Sequence, residues 1–99
     1  MLSYTLSNKA EEDLRAIYRY TLVNFGEPRA IAYLTGLDEC LDLITNTPSI
    51  AQNVDDIRSG YRRYLCREHA IYFIEKRSRL YVIRVLHQQM KATLHLASL

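Results

Sequence analysis

The sequence predicts an α+β fold of order β-α-α-β-β-β, a two-helix hairpin packed on a curved antiparallel sheet, and three observations predict it. Apolar residues recur at helical spacing up to Thr47, the chain turns β-branched and aromatic from Ile57, and Gly26 with Pro28 leaves almost no loop between two helical stretches. At 99 residues and 48% hydrophobic content the chain fits one domain, 1–99, with a modest core and no need of a metal or disulfide staple.

Each element has a local cause. Leu2 to Leu6 alternates apolar with polar residues and is short enough for a strand. Ser7 and Asn8 are both good helix N-caps, and Asn8 with Glu11 has capping-box spacing. Ala10, Leu14, Ile17, Tyr18, Thr21 and Phe25 then form one helical stripe. Gly26 suits the helix stop and Pro28 the first turn of the next helix, where its missing N–H costs nothing. The second stripe runs through Ala30, Leu34, Leu37, Leu41 and Ile44 and ends at Thr47-Pro48. Pro48 to Asp56 reads as a polar loop. Three strands follow, around residues 60–65, 70–74 and 80–86, with short polar connections that suit antiparallel hairpins. The near-continuous apolar character of the last two places them centrally in the sheet. The tail from Gln88 to Leu99 has room for one short helix.

Composition excludes several classes. No stretch approaches the ~20 apolar residues that cross a bilayer, and the N-terminus lacks the basic and long apolar regions of a signal peptide, so the expectation is a cytoplasmic protein. Cys40 and Cys66 are far apart in sequence, without CxxC spacing or a neighbouring ligand cluster, and are expected as reduced, partly buried thiols. His69, His87 and His95 have no accompanying Cys or acidic cluster, so no metal or cofactor is expected. No P-loop, dinucleotide fingerprint or nucleophile-elbow pattern occurs.

Net charge is +2, but unevenly spread: up to Asp56 there are four Lys/Arg against nine Asp/Glu, and from Ile57 nine against two. Two readings stand side by side: the acids sit on solvated helix faces and the basic half has no partner, or the basic half offers a surface to an anionic partner, either an acidic polypeptide or nucleic acid. Arg62, Arg63, Arg67, Arg84 and His87 carry that basicity on or beside strands. Arg62 and Arg63 point to opposite faces, so only one of them can join a cluster with Arg84. Arg84, inside an apolar strand, reads either as a half-buried arginine paired with a carboxylate such as Glu75, or as the lining of a cationic concavity with His87. Eight tyrosines and no tryptophan supply amphipathic contacts of the kind favoured at interfaces, Tyr20 and Tyr33 above all because they lie beside the stripes.

Tyr4-Thr5-Leu6-Ser7, Ala10, Asp13-Leu14, Ile17, Tyr20-Thr21 and Phe25-Gly26 resemble the opening of ParE toxins in the RelE/ParE superfamily. So do Pro48, Asp56 to Arg63, His69 with Tyr72-Phe73, and Ile83-Arg84-Val85-Leu86-His87 followed by Met90. The resemblance spans nearly the whole chain; Lys91 and Ala51 depart from it. It implies a toxin of a type II toxin–antitoxin system, neutralised by a cognate ParD-like antitoxin. It further implies inhibition of DNA gyrase with stabilisation of the cleaved-DNA complex, by protein binding rather than catalysis and without expected direct binding of nucleic acid. The RelE branch offers the alternative of ribosome-dependent mRNA cleavage. Candidate target-binding residues are Arg62, Arg63, Arg67, Arg84, His87 and Met90; candidate antitoxin-binding residues are Leu14, Tyr18, Leu22, Tyr33, Leu37 and Arg58.

Overall fold

In the computed structural model, which describes residues 3–96, the chain runs β1 (Ser3–Leu6), α1 (Asn8–Phe25), α2 (Glu27–Asn46), a 3-10 turn at Pro48–Ile50, β2 (Gln52–Asn53), β3 (Arg62–Cys66), β4 (His69–Lys76), β5 (Arg79–His87) and α3 (Ala92–Leu96). Ser7 caps α1: its Oγ accepts the Ala10 N–H at 3.0 Å, so the helix begins one residue before the Asn8–Glu11 box would place it. The same hydroxyl donates to the Ile83 carbonyl, which ties the helix start to β5. Gly26 serves as both end of α1 and start of α2. Its φ of 90° and ψ of 167° lie where only glycine sits without strain, and its N–H and carbonyl close one helix and open the other.

The five strands lie in the order β1-β5-β4-β3-β2. The three predicted hairpin strands pair antiparallel, with β4 and β5 central as their apolar character requires. The sheet is mixed rather than purely antiparallel, because β1 lies parallel to β5, Ser3 opposite Arg79 through Leu6 opposite Val82. The helical hairpin carries the chain from β1 at one edge of the sheet to β2 at the other, and β5 comes back beside β1 only after β3 and β4, so the two meet through a crossover and not a turn. Within the loop expected at Pro48 to Asp56, Gln52 and Asn53 add a two-residue edge strand to β3.

Both faces of the sheet are covered. Ala10, Leu37, Leu41 and Ile44 of the helices pack on Ile71, Phe73, Leu80, Val82 and Val85. On the other face α3 and the β2–β3 connection bring Leu96, Ala92, Val54 and Tyr61 over Ala70, Tyr72 and Leu86. Among the described residues no helix is long and apolar enough to cross a membrane.

Contacts between elements overturn one sequence expectation and change the partner in another. Cys40 on α2 and Cys66 on β3 are not free thiols but a disulfide; α2 crosses the sheet so that their Cα atoms lie 6.4 Å apart, inside the bridging range, despite 26 residues between them. Arg84 is the half-buried arginine paired with a carboxylate that the sequence suggests, but the carboxylate is not Glu75. It is Asp13 on α1, which no spacing within either element reveals.

Candidate functional site

The Asp13–Arg84 pair anchors α1 to β5. Arg84 donates through Nε at 2.8 Å and a terminal nitrogen at 3.0 Å to the two carboxylate oxygens of Asp13, and the Val85 N–H donates to the same carboxylate at 3.0 Å. The register explains the backbone contact: β1 ends opposite Val82, leaving the later β5 edge free, and Ser7 and Asp13 occupy it with hydrogen bonds. The side-chain hydrogen bond to Asp13 raises the Arg84 pKa, so this guanidinium stays charged and fixed.

Beyond this anchor, α1, α2, the β3–β4 turn and the end of β5 line a groove of about 900 Å³. Ile17 and Val85 give it an apolar floor, and the exposed Ala16, Tyr20, Phe25 and Met90 stand on its rim, Tyr20 being 64% exposed. Arg29 and Arg67 add cations.

One end of the groove holds a Tyr33–His69–His87 cluster. The Tyr33 hydroxyl lies 2.6 Å from His69 Nδ1 and accepts the Glu68 N–H at 3.2 Å. A phenolic oxygen can accept as well as donate, so the direction of the Tyr33–His69 hydrogen bond is set by the His69 tautomer. The His69 and His87 rings stand edge to face with centroids 5.4 Å apart, and His87 Nδ1 accepts the Gln89 N–H. Burial, and then the neighbouring His87, push the His69 pKa down; burial pushes Tyr33 up, so both stay neutral. Arg67, in the β3–β4 turn at φ 57°, lies over the Tyr33 ring at 5.9 Å and directly against Gly36, where a Cβ would collide with its guanidinium.

A β-bulge makes this cluster. The β4–β5 turn sets Lys76 opposite Arg79, which carried back without interruption would face His69 with Leu86. Ile83 is left out of the pairing between Phe73–Val82 and Tyr72–Arg84, and the one-residue shift brings His87 opposite His69 instead.

The groove therefore draws together Tyr33, Arg67, His87 and Met90 from the sequence candidates. The others lie elsewhere. Leu14 and Tyr18 line a shallower depression on the outer side of the hairpin with Ile31 and Leu34. Leu37, at 1% exposure, is core and offers no surface. Leu22 is half-buried and lines neither depression. Arg58 donates to the Leu96 carbonyl and lies over Tyr61 across the sheet, and Arg63 donates to Gln52 on the β2–β3 edge. Arg62 and Arg63 alternate in β3 as expected, and neither lines the groove. Sequence reasoning missed Asp13, Phe25, Arg29 and His69 as site residues. Counting back from the two-residue Arg67-Glu68 turn would have put His69 beside Cys66 at the strand start, but not opposite His87.

Residues 4–92 match the family described as ParE toxin of type II toxin-antitoxin system, parDE. The chain belongs to the ParE toxin family. It is 34% identical over 96 residues to Toxin ParE1 of Caulobacter vibrioides, covering 97% of this chain and 99% of that protein. Toxin ParE1 of Mycobacterium tuberculosis is 33% identical over 88 residues, covering 88% and 90%. Among solved structures the fold is similar to a chain of the chromosomal ParDE system of P. aeruginosa, with a TM-score of 0.73 at 20% identity over 87% of this chain and 92% of that one. It is also similar to a chain of the YoeB–YefM complex of Staphylococcus aureus, at 0.58 and 17% over 89% and 98%. This ParE chain thus carries a toxin fold whose groove is apolar at its floor, aromatic at its rim and cationic at two points.

Proposed function

We propose that this toxin acts by binding other proteins in the cytoplasm: a cognate antitoxin covers the groove, and the target of the free toxin is DNA gyrase, whose cleaved-DNA complex it stabilises. The observation that carries the reading is the commitment of Arg84. Its guanidinium is held bidentate by Asp13, so the arginine within β5 is occupied in holding α1 on the sheet and is not free to stabilise a reacting phosphate. What remains open is an apolar, tyrosine-rimmed groove suited to an amphipathic segment, with Arg29 and Arg67 to meet carboxylates. The name of the family and the ParDE assembly of the P. aeruginosa neighbour support the antitoxin partner.

One observation favours a second reading, ribosome-dependent mRNA cleavage. Two imidazoles in contact, one hydrogen-bonded to a tyrosine hydroxyl and with Arg67 close by, are groups that acid–base transfer at a phosphodiester uses. The deciding experiment sets purified toxin with gyrase and supercoiled plasmid beside toxin with ribosome-bound mRNA. Accumulation of linear plasmid with intact mRNA is expected. Site-specific mRNA cuts with untouched gyrase would replace the first reading by the second.

A further inference from the structure

The middle of α2 meets the β3–β4 turn through three residues at spacings of three and four: Tyr33, Gly36 and Cys40. Cys40 is bonded to Cys66, Gly36 lies under the Arg67 guanidinium, and Tyr33 bonds His69. The groove wall made of Tyr33, Arg67 and His69 is therefore fastened by the disulfide, about two helical turns along α2 from Tyr33 and next to Arg67 on the strand side. Its two sulfurs are not equivalent. Cys66 is 2% exposed and belongs to the main core, whereas Cys40 is only half-buried. Moreover, the Gly36 carbonyl oxygen lies 3.7 Å from Cys66 Sγ, close enough to accept from a thiol. A disulfide sulfur has no proton to donate, so this contact becomes a hydrogen bond only when the bond is open.

We propose that Cys40–Cys66 is a thiol-exchange site that takes a small thiol such as glutathione at Cys40, and that opening it loosens the Tyr33–Arg67–His69 wall of the groove. The glutathione thiolate attacks Cys40 Sγ, the accessible sulfur; a new S–S bond forms there, the Cys40–Cys66 bond breaks, and its electron pair leaves on Cys66. Cys66 takes up a proton and donates it to the Gly36 carbonyl. A second glutathione thiolate attacks the glutathione sulfur of the adduct, releasing glutathione disulfide and leaving Cys40 as a thiol. Two glutathiones are oxidised and one protein disulfide is reduced. The consequence for partner binding rests on the groove reading of the proposed function; the exchange chemistry does not.

The test uses the oxidised full chain and reduced glutathione, followed by intact mass, peptide mapping, circular dichroism and amide hydrogen exchange. An adduct on Cys40 is expected, with an unchanged far-ultraviolet spectrum. Exchange should rise about tenfold or more in α2 from Tyr33 to Leu41 and in the β3–β4 turn, while the β4–β5 ladder stays protected. In the single variants, Cys66→Ser should leave a Cys40 that iodoacetamide labels in the folded protein, and Cys40→Ser a Cys66 that resists it. Alkylation of both cysteines without prior reduction, an adduct on Cys66, unaltered exchange, or loss of the whole fold would each overturn the proposal. None of these outcomes involves gyrase or an antitoxin, so this inference and the proposed function fail separately.

Discussion

Asp13 and Arg84 are the pair on which the most depends at the scale of single residues. Asp13 accepts three hydrogen bonds, two from Arg84 and one from the Val85 backbone, and both side chains are about 15% exposed. Removing one partner strands the other charge in a site that is poorly hydrated, so Arg84→Ala or Asp13→Ala should each cost about 2–4 kcal/mol. The double variant should cost clearly less than the sum, because the second substitution removes the charge the first left unpaired. Urea denaturation of the four proteins checks this, and additive losses would show that the pair is not coupled. The arginine was legible in the sequence as a cation out of place in an apolar strand. Its partner was not, since Asp13, three residues after Ala10 and four before Ile17, lies at the edge of the apolar stripe, and nothing in α1 shows that the free edge of β5 runs along it.

Elements were legible where local chemistry sets them. The two helical stripes, the glycine between the helices and the three hairpin strands all lie where periodicity and turn residues put them. The β4–β5 hairpin is the exception to good local chemistry. Its two central residues, Arg77 and Ser78, have φ of 53° and 62°, the left-handed conformations of a primed two-residue turn that ordinarily takes Asn-Gly. Ser78→Gly should therefore raise stability by roughly 0.5–1 kcal/mol, the relief of left-handed strain exceeding the added chain entropy of glycine. A higher thermal midpoint checks it; an unchanged or lower midpoint would mean that the serine is held there by contacts worth as much as the strain. The bulge at Ile83 was illegible for a related reason: it lies within an unbroken apolar run, where nothing local marks which residue drops out of the ladder.

Across the whole molecule, the uneven charge becomes a question of where the cations end up. Arg29 and Arg67 converge on the groove from α2 and the β3–β4 turn, although one belongs to the acidic half of the sequence, while Arg62, Arg63 and Arg58 lie outside it. An acidic, amphipathic antitoxin segment should then associate at a rate that falls with salt, and Arg29→Ala with Arg67→Ala should lower that rate by roughly 3–10-fold at low ionic strength, more than Arg62→Ala does. Stopped-flow association across a salt series measures this, and a rate indifferent to salt or equally sensitive to Arg62 would remove the charge argument and leave the apolar floor as the basis of binding. The sequence by itself determined the α+β class, the helical hairpin, the central strands and the family resemblance, because each is written in periodicity, turn residues or short motifs that neighbours in the chain supply. Tertiary structure alone decided the parallel pairing of β1, the Asp13–Arg84 anchor, the Cys40–Cys66 bond and the meeting of Tyr33 with His69 and His87. All four depend on how one element crosses or registers against another, and a one-residue shift of register exchanges the faces of a strand without altering its local pattern.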